Sequence, residues 1–211
     1  MEYAGREMTT RRPTREERRG RTRAELLDAA ARVFAERGFH GASVDEVAAS
    51  AGYSTGALYS NFSGKEDLFL ALLEAQIDRF ADELGEAVGD ESTVDARVAG
   101  GAQRWMAFLD REPAMVQLFM EFWAYAVRNP PVRERLAPRY AAARAVVAGL
   151  IERSACDLGL ELSMPAAELA KAVDALADGL ALQRLVEPAA VPDALFGEVL
   201  SLLFAGATRP R

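Results

Sequence analysis

Apolar residues recur along the chain at intervals of three and four, and strict alternation never runs for long. Leu26, Ala30, Val33 and Phe34 form one such stripe, which predicts an amphipathic helix that Gly38 stops. Val47 and Ala48 supply the inner face of a second, short helix closed by Gly52. A third, shorter still, runs from Ser54 to about Ser60. Leu68, Leu72, Ala75, Phe80 and Leu84 mark a fourth, weakened at Gly85 and Gly89. Longer helices follow near 92–110, 113–128, 131–157, 165–186 and 192–206. Pro113, Pro130-Pro131, the Gly159 region and the stretch from Pro188 to Pro192 separate them. The predicted fold class is all-α.

Capping signals sharpen the early boundaries. Thr22-Arg23-Ala24-Glu25, Ser43-Val44-Asp45-Glu46 and Ser63-Gly64-Lys65-Glu66 each have the hydroxyl and carboxylate spacing of a capping box. Ser54 is an N-cap for the third helix. Each cap contributes about 1 kcal/mol. Residues 1–21 are polar, Arg-rich and aperiodic, and read as a disordered arm.

A short helix, a tight glycine turn and a second short helix make a helix-turn-helix. The second helix of such a pair enters the major groove of DNA and presents its N-terminal residues to base edges. Here it reads Ser54-Thr55-Gly56-Ala57-Leu58-Tyr59-Ser60, with Leu58 turned inward. Ser54 and Thr55 can donate to bases or phosphates, and Ala57 can meet a thymine methyl. Gly56 costs about 1 kcal/mol of helix stability relative to alanine, a cost that close approach to a groove would offset. Tyr59, Asn61 and Lys65 lie beyond it, and Ser43 on the opposite side; all four carry groups that hydrogen-bond phosphate. Pattern alone also fits a plain helical hairpin, with Tyr59 in the core and Lys65 on the surface.

Charge is split along the chain. Residues 1–65 hold 11 Lys/Arg and 9 Asp/Glu, whereas residues 66–211 hold 14 and 23. An acidic body with a basic end fits a protein that touches phosphate at one end only. A solvated tail would give the same run. Cys156 is the single cysteine, so no disulfide within the chain and no zinc set are expected. Neither a metal nor a cofactor is anticipated. The start has no apolar segment of a secretory signal, and no run approaches ~18 apolar residues, so a cytoplasmic protein without a membrane span is expected. An enzyme fares poorly: His40 is the only histidine, Cys156 has none near it in sequence, and no glycine-rich phosphate loop is present. A helical protein-interaction module without specific DNA binding is a further alternative.

The run "LLDAAARVFAERGFHGASVDEVAASAGYSTGALYSNFSGKEDLF" closely resembles the DNA-binding domain of TetR-type transcriptional regulators. The match covers the N-terminal third, from Thr22 to about Leu73. It implies a three-helix DNA-binding domain at 22–67 and a helical ligand-binding and dimerisation domain at 68–211. It implies recognition positions at Ser54, Thr55, Gly56, Ala57 and Ser60, and phosphate contacts from Tyr59, Lys65 and Ser43. Two residues depart from the pattern. Tyr53 stands where a small aliphatic residue is usual. Asp45 stands where some members carry a longer base-reading side chain, and reads better as a helix N-terminal acid.

In the body, Trp105, Phe108, Met115, Phe119, Phe122, Trp123 and Tyr140 concentrate aromatic and methionine surface, and are candidates for an apolar ligand pocket or for plain core. Glu121, Arg104 and Arg128 are candidate polar anchors. Stripes of Leu169, Val173, Leu176 and Leu180, and of Leu195, Val199 and Leu202, are candidates for a homodimer interface, although each also serves a monomer core. A two-fold dimer would present its recognition helices to a palindromic operator in double-stranded DNA. The effector is an unidentified small molecule, apolar or amphipathic. A repressor is the reading by family analogy; an activator or an effector-independent regulator are the alternatives.

Overall fold

The computed structural model of the chain describes residues 14–89 and 91–210. Its helices are α1 (Arg15–Gly41), α2 (Val44–Ser50), α3 (Thr55–Tyr59), α4 (Lys65–Gly89), α5 (Val94–Arg111), α6 (Pro113–Arg128), α7 (Pro130–Asp157), α8 (Ala166–Val186) and α9 (Leu195–Ala207). Two short strands, β1 (Leu160–Leu162) and β2 (Thr208–Pro210), pair antiparallel with Glu161 opposite Arg209. That ladder was not anticipated; three-residue strands carry no readable alternation.

The first helix starts earlier than expected. Thr14 forms the capping box with Glu17, and Thr22 lies inside α1. Residues 15–21, read as part of a disordered arm, are therefore helical, while residues 1–13 of that arm lie outside the described residues. The early turns of α1 are exposed all round, so no apolar stripe announces them. Gly38 interrupts regular helix with φ +69, and the chain makes one more turn to Gly41.

The box at Ser43 and Glu46 forms as expected, and Ser54 caps α3 by accepting from the Ala57 N–H. The expected box at Ser63 does not form. The Ser63 N–H donates to the Asp67 carboxylate at 2.9 Å, and Glu66 instead accepts from the Tyr125 hydroxyl at 3.0 Å. A tertiary partner has displaced a local one.

α1, α2 and α3 enclose Leu26, Phe34, Val47, Leu58 and Phe62, all buried. α4 runs unbroken from this small domain into the body, where it packs on α5 and α7. Asp67–Arg135 and Glu74–Arg139 ion pairs join it to α7 along one side.

Residues 188–207 are apolar and long enough, by composition, to cross a membrane, a stretch the sequence reading passed over. The fold breaks that stretch with a 3-10 turn at Pro188–Ala190 and a bend at Val191. The helix that remains has 13 residues. Its length of about 20 Å falls short of a ~30 Å hydrocarbon core.

Candidate nucleic-acid interface and effector cavity

α3 lies on the outside of the small domain. Leu58 is its one buried residue, while Ser54, Gly56, Tyr59 and Ser60 are exposed and Thr55 and Ala57 partly so. Gly56 has ordinary helical backbone, since it is absent from the positive-φ glycines. A Cβ built on it would meet nothing nearer than the Ser54 Oγ at 3.8 Å. Nothing within the described chain requires glycine there.

The flanking residues divide into two groups. Tyr59 projects into solvent, 54% exposed. Ser43 and Ser54 are used as caps, and the Ser60 hydroxyl donates to the Ala57 carbonyl at 2.7 Å. The Thr55 hydroxyl donates to Asp45 at 2.6 Å, which ties α3 to α2 and gives Asp45 a role its sequence position did not announce. The Asn61 amide donates to the Ala57 carbonyl at 2.9 Å, so it finishes α3 from within. The Lys65 ammonium donates to the carbonyls of His40 and Ala42 at 3.3 and 3.1 Å and lies 4.8 Å over the Phe39 ring. Two of its three donors therefore close the end of α1. Tyr53, the departure from the expected pattern, donates its hydroxyl to Glu25 and accepts from Thr22 at 3.4 Å, fastening the turn before α3 to α1. That hydrogen bond, with Arg21 second, lowers the Glu25 carboxyl below its ordinary value.

In the body, α4 to α9 surround a cavity of about 310 Å³ with almost wholly apolar walls. Trp105, Phe108, Phe119 and Tyr140 line it, as anticipated. The other three aromatic or methionine candidates lie elsewhere. Met115 is buried on the α1-facing side, Phe122 is in the core, and Trp123 is 52% exposed on the surface. They sit on the same helix as Phe119 but are not part of the lining. Sequence reasoning missed Phe80, Phe196, Leu200, Phe204, Asp174 and Asp178 of the lining, because apolar periodicity does not distinguish a cavity wall from a filled core. Glu121, Arg104 and Arg128 do not line it. Arg104 instead pairs with Glu83 at 3.7 Å.

Glu121 is used at the junction between the two parts. Its carboxylate accepts from the Phe39 N–H at 2.9 Å. Gly38 has φ +69, which favours glycine, and a Cβ there would lie 2.8 Å from one of the Glu121 oxygens and push the carboxylate aside. Around this contact runs an aromatic cluster. Phe122 stacks on Phe69 at 4.1 Å and meets Phe39 edge-on at 4.9 Å. Phe119, on the cavity wall, meets Phe69 at 6.4 Å. The cavity wall and the end of α1 are thus joined by direct ring contacts.

Of the expected interface stripes, Leu169 and Leu180 are buried in the chain's own core and have no surface left for a partner. Val173, Leu176, Leu195 and Val199 are partly buried, and Leu202 is 75% exposed. Leu182, Leu185 and Val186 of α8 are exposed as well, and extend the apolar surface beyond the residues singled out from sequence.

An exposed second helix of a helix-turn-helix on a three-helix head, continuous through α4 with a hollow helical body, is the architecture of a helix-turn-helix transcriptional regulator. The family of bacterial regulatory proteins of the tetR type matches residues 26–72, and the C-terminal part of BetI-type transcriptional repressors matches residues 94–201. The chain belongs to the TetR family of bacterial transcriptional regulators. It is 33% identical over 147 residues to the transcriptional activator FasR of Mycolicibacterium smegmatis, covering 70% of this chain and 63% of FasR. The aligned part thus spans less than two thirds of that relative. The solved FadR of Bacillus halodurans superposes with a TM-score of 0.71 at 19% identity, covering 95% of this chain and all of that one. FadR of Bacillus subtilis, solved in complex with stearoyl-CoA, superposes with a TM-score of 0.69 at 18% identity, over 85% of this chain and 96% of that one. At these identities the likeness is one of fold.

Proposed function

We propose that this chain is a cytoplasmic, homodimeric regulator that binds a palindromic operator through α3 and releases it when a small apolar or amphipathic effector fills the cavity. The observation that carries the reading is Gly56. The fold does not need it, it weakens a five-residue helix, and it lies on the exposed face. A partner that must approach the backbone closely accounts for it. Ser54, Thr55, Ala57 and Ser60 share that face, with Tyr59, Ser43, Asn61 and Lys65 at its margins. Lys65 keeps one donor for a phosphate and otherwise positions the start of α4.

Dimerisation uses Leu182, Leu185, Val186 and Leu202, with Leu195, Val199, Val173 and Leu176 beside them. A two-fold arrangement places two copies of α3 about one DNA turn apart, ~34–36 Å. The effector acts by preferring one spacing of the heads. Contacts from Phe119 through Phe69 to Phe39, with the Glu121 carboxylate on the Phe39 N–H, supply the connection between cavity and head. FadR of Bacillus subtilis holds stearoyl-CoA within the same fold, which supports a ligand with a long apolar part. FasR is an activator, so activation at the same kind of site is the second reading.

Selection from a random double-stranded DNA pool at physiological salt tests the proposal. Enrichment of a two-fold symmetric site is expected. A folded dimer that enriches nothing, with and without ligands that fill the cavity, overturns the reading of α3.

A further inference from the structure

The lining of the cavity is helical almost throughout. Its residues belong to α4 to α9, each of 13 residues or more, except at one end. There the wall is Leu158, Leu160, Leu162 and Thr208: the turn after α7, then β1, then the first residue of β2. Alternation along the ladder divides its two faces. Leu160, Leu162 and Thr208 line the hollow, while Glu161 and Arg209 sit opposite one another and are exposed.

This is the weakest wall for two reasons. The ladder has three residues on each strand, and an isolated two-stranded ribbon is marginal in water. The Ser163 N–H donates to the Ala207 carbonyl and the Thr208 hydroxyl to the Phe204 carbonyl, both at 2.8 Å, which fastens β2 at its start. Beside the ladder, Ile151, Ala166, Leu169, Ala170 and Ala207 form a small buried cluster separate from the main core, with Leu162 and Phe204 packed against it. Parting two helices elsewhere would bring fully buried side chains of the main core into water. Parting the strands uncovers Leu160, Leu162 and Thr208, which are already partly exposed, and costs far less.

We infer that the β1–β2 ladder is the gate of the cavity: β2 peels from β1 to admit a ligand and pairs again behind it. This rests on the cavity being the effector site. Openings of so small a unit lie at the low end of a fold's stability and occur without global unfolding. Glu161 and Arg209 then have a role that does not involve touching the ligand. Opposite charges at paired positions of an antiparallel ladder favour the closed state. Because the gate is closed before and after binding, it sets the rates of entry and escape and leaves affinity unchanged.

Stopped-flow fluorescence of the full chain with N-phenyl-1-naphthylamine, an uncharged apolar dye, tests the inference. Opposed residues of an antiparallel pair have Cα atoms about 4.5–5.5 Å apart, within reach of a disulfide. Glu161→Cys/Arg209→Cys, in a Cys156→Ser background that removes the free thiol, therefore locks the ladder when oxidised. Oxidation should slow dye entry and release by about tenfold or more with Kd unchanged, and reduction should restore both rates. Glu161→Lys sets like charges opposite one another, needs no cross-link, and should speed both rates about two- to fivefold. A merely structural ladder would shift the melting temperature or Kd and leave the entry rate at its wild-type value. Rates unchanged by the cross-link, or by Glu161→Lys should the cross-link not form, overturn the inference and leave the cavity reading intact. Failure of the dye to bind the wild-type chain overturns both.

Discussion

Gly56→Leu is expected to abolish operator binding and to leave the protein slightly more stable. The two effects have separate causes. Leucine gains about 0.8 kcal/mol of helix propensity over glycine, which is worth roughly 2–3 °C in a chain of this length. The backbone at this position is ordinary helix on an exposed face, and among the described residues a Cβ there meets nothing nearer than the Ser54 Oγ at 3.8 Å. On the DNA side, the same atoms fill the gap through which the helix backbone approaches the groove floor. Loss of at least about 100-fold in affinity, roughly 3 kcal/mol, should follow. Fluorescence anisotropy on a duplex from the selection experiment, at fixed salt, measures one effect, and a thermal melt the other. Undiminished binding would remove α3 from the interface. Tyr59→Ala should also weaken binding with little change in melting temperature, because the ring is 54% exposed. Lys65→Ala should lower it, since two carbonyls at the end of α1 lose their donor.

The second large effect is expected at Phe122. Its ring is fully buried where α1, α4 and α6 meet, against Phe39, Phe69 and Tyr125. Phe122→Ala should cost about 3–5 kcal/mol and lower the melting temperature by roughly 6–20 °C. Below that temperature, binding in the cavity should persist, because Phe122 is not part of the lining. Trp123→Ala, one residue along on an exposed face, should change stability by no more than about 0.5 kcal/mol. Scanning calorimetry of the two variants decides the matter: similar, small shifts would mean that the junction is not held by this ring.

These two residues also show how far sequence patterns reach. Gly56 is legible because its cost is local: a glycine in a short helix is anomalous whatever surrounds it. The box at Ser43 and Glu46 and the cap at Ser54 are local in the same way and form as expected. Phe122 and Phe119 are not separable by pattern, since both are apolar residues on an apolar helix and only the neighbouring helices decide which one faces the hollow. Glu66, Lys65 and Thr55 have local roles available, but partners distant in sequence claim them: Tyr125, the α1 carbonyls and Asp45. The start of α1 eluded the apolar pattern for the opposite reason. A helix that buries nothing in its first turns leaves no stripe, and its one signal, the box from Thr14 to Glu17, competes with an equally good one at Thr22.

The chain's two tryptophans occupy unlike environments. Trp105 stands in the cavity wall against Phe80 and Phe108, whereas Trp123 is open to solvent. Their emission will therefore differ in colour and in access to a dissolved quencher such as iodide. Exchanging Trp123 for phenylalanine isolates a single fluorophore that reports what enters the hollow, with no label attached and no operator required.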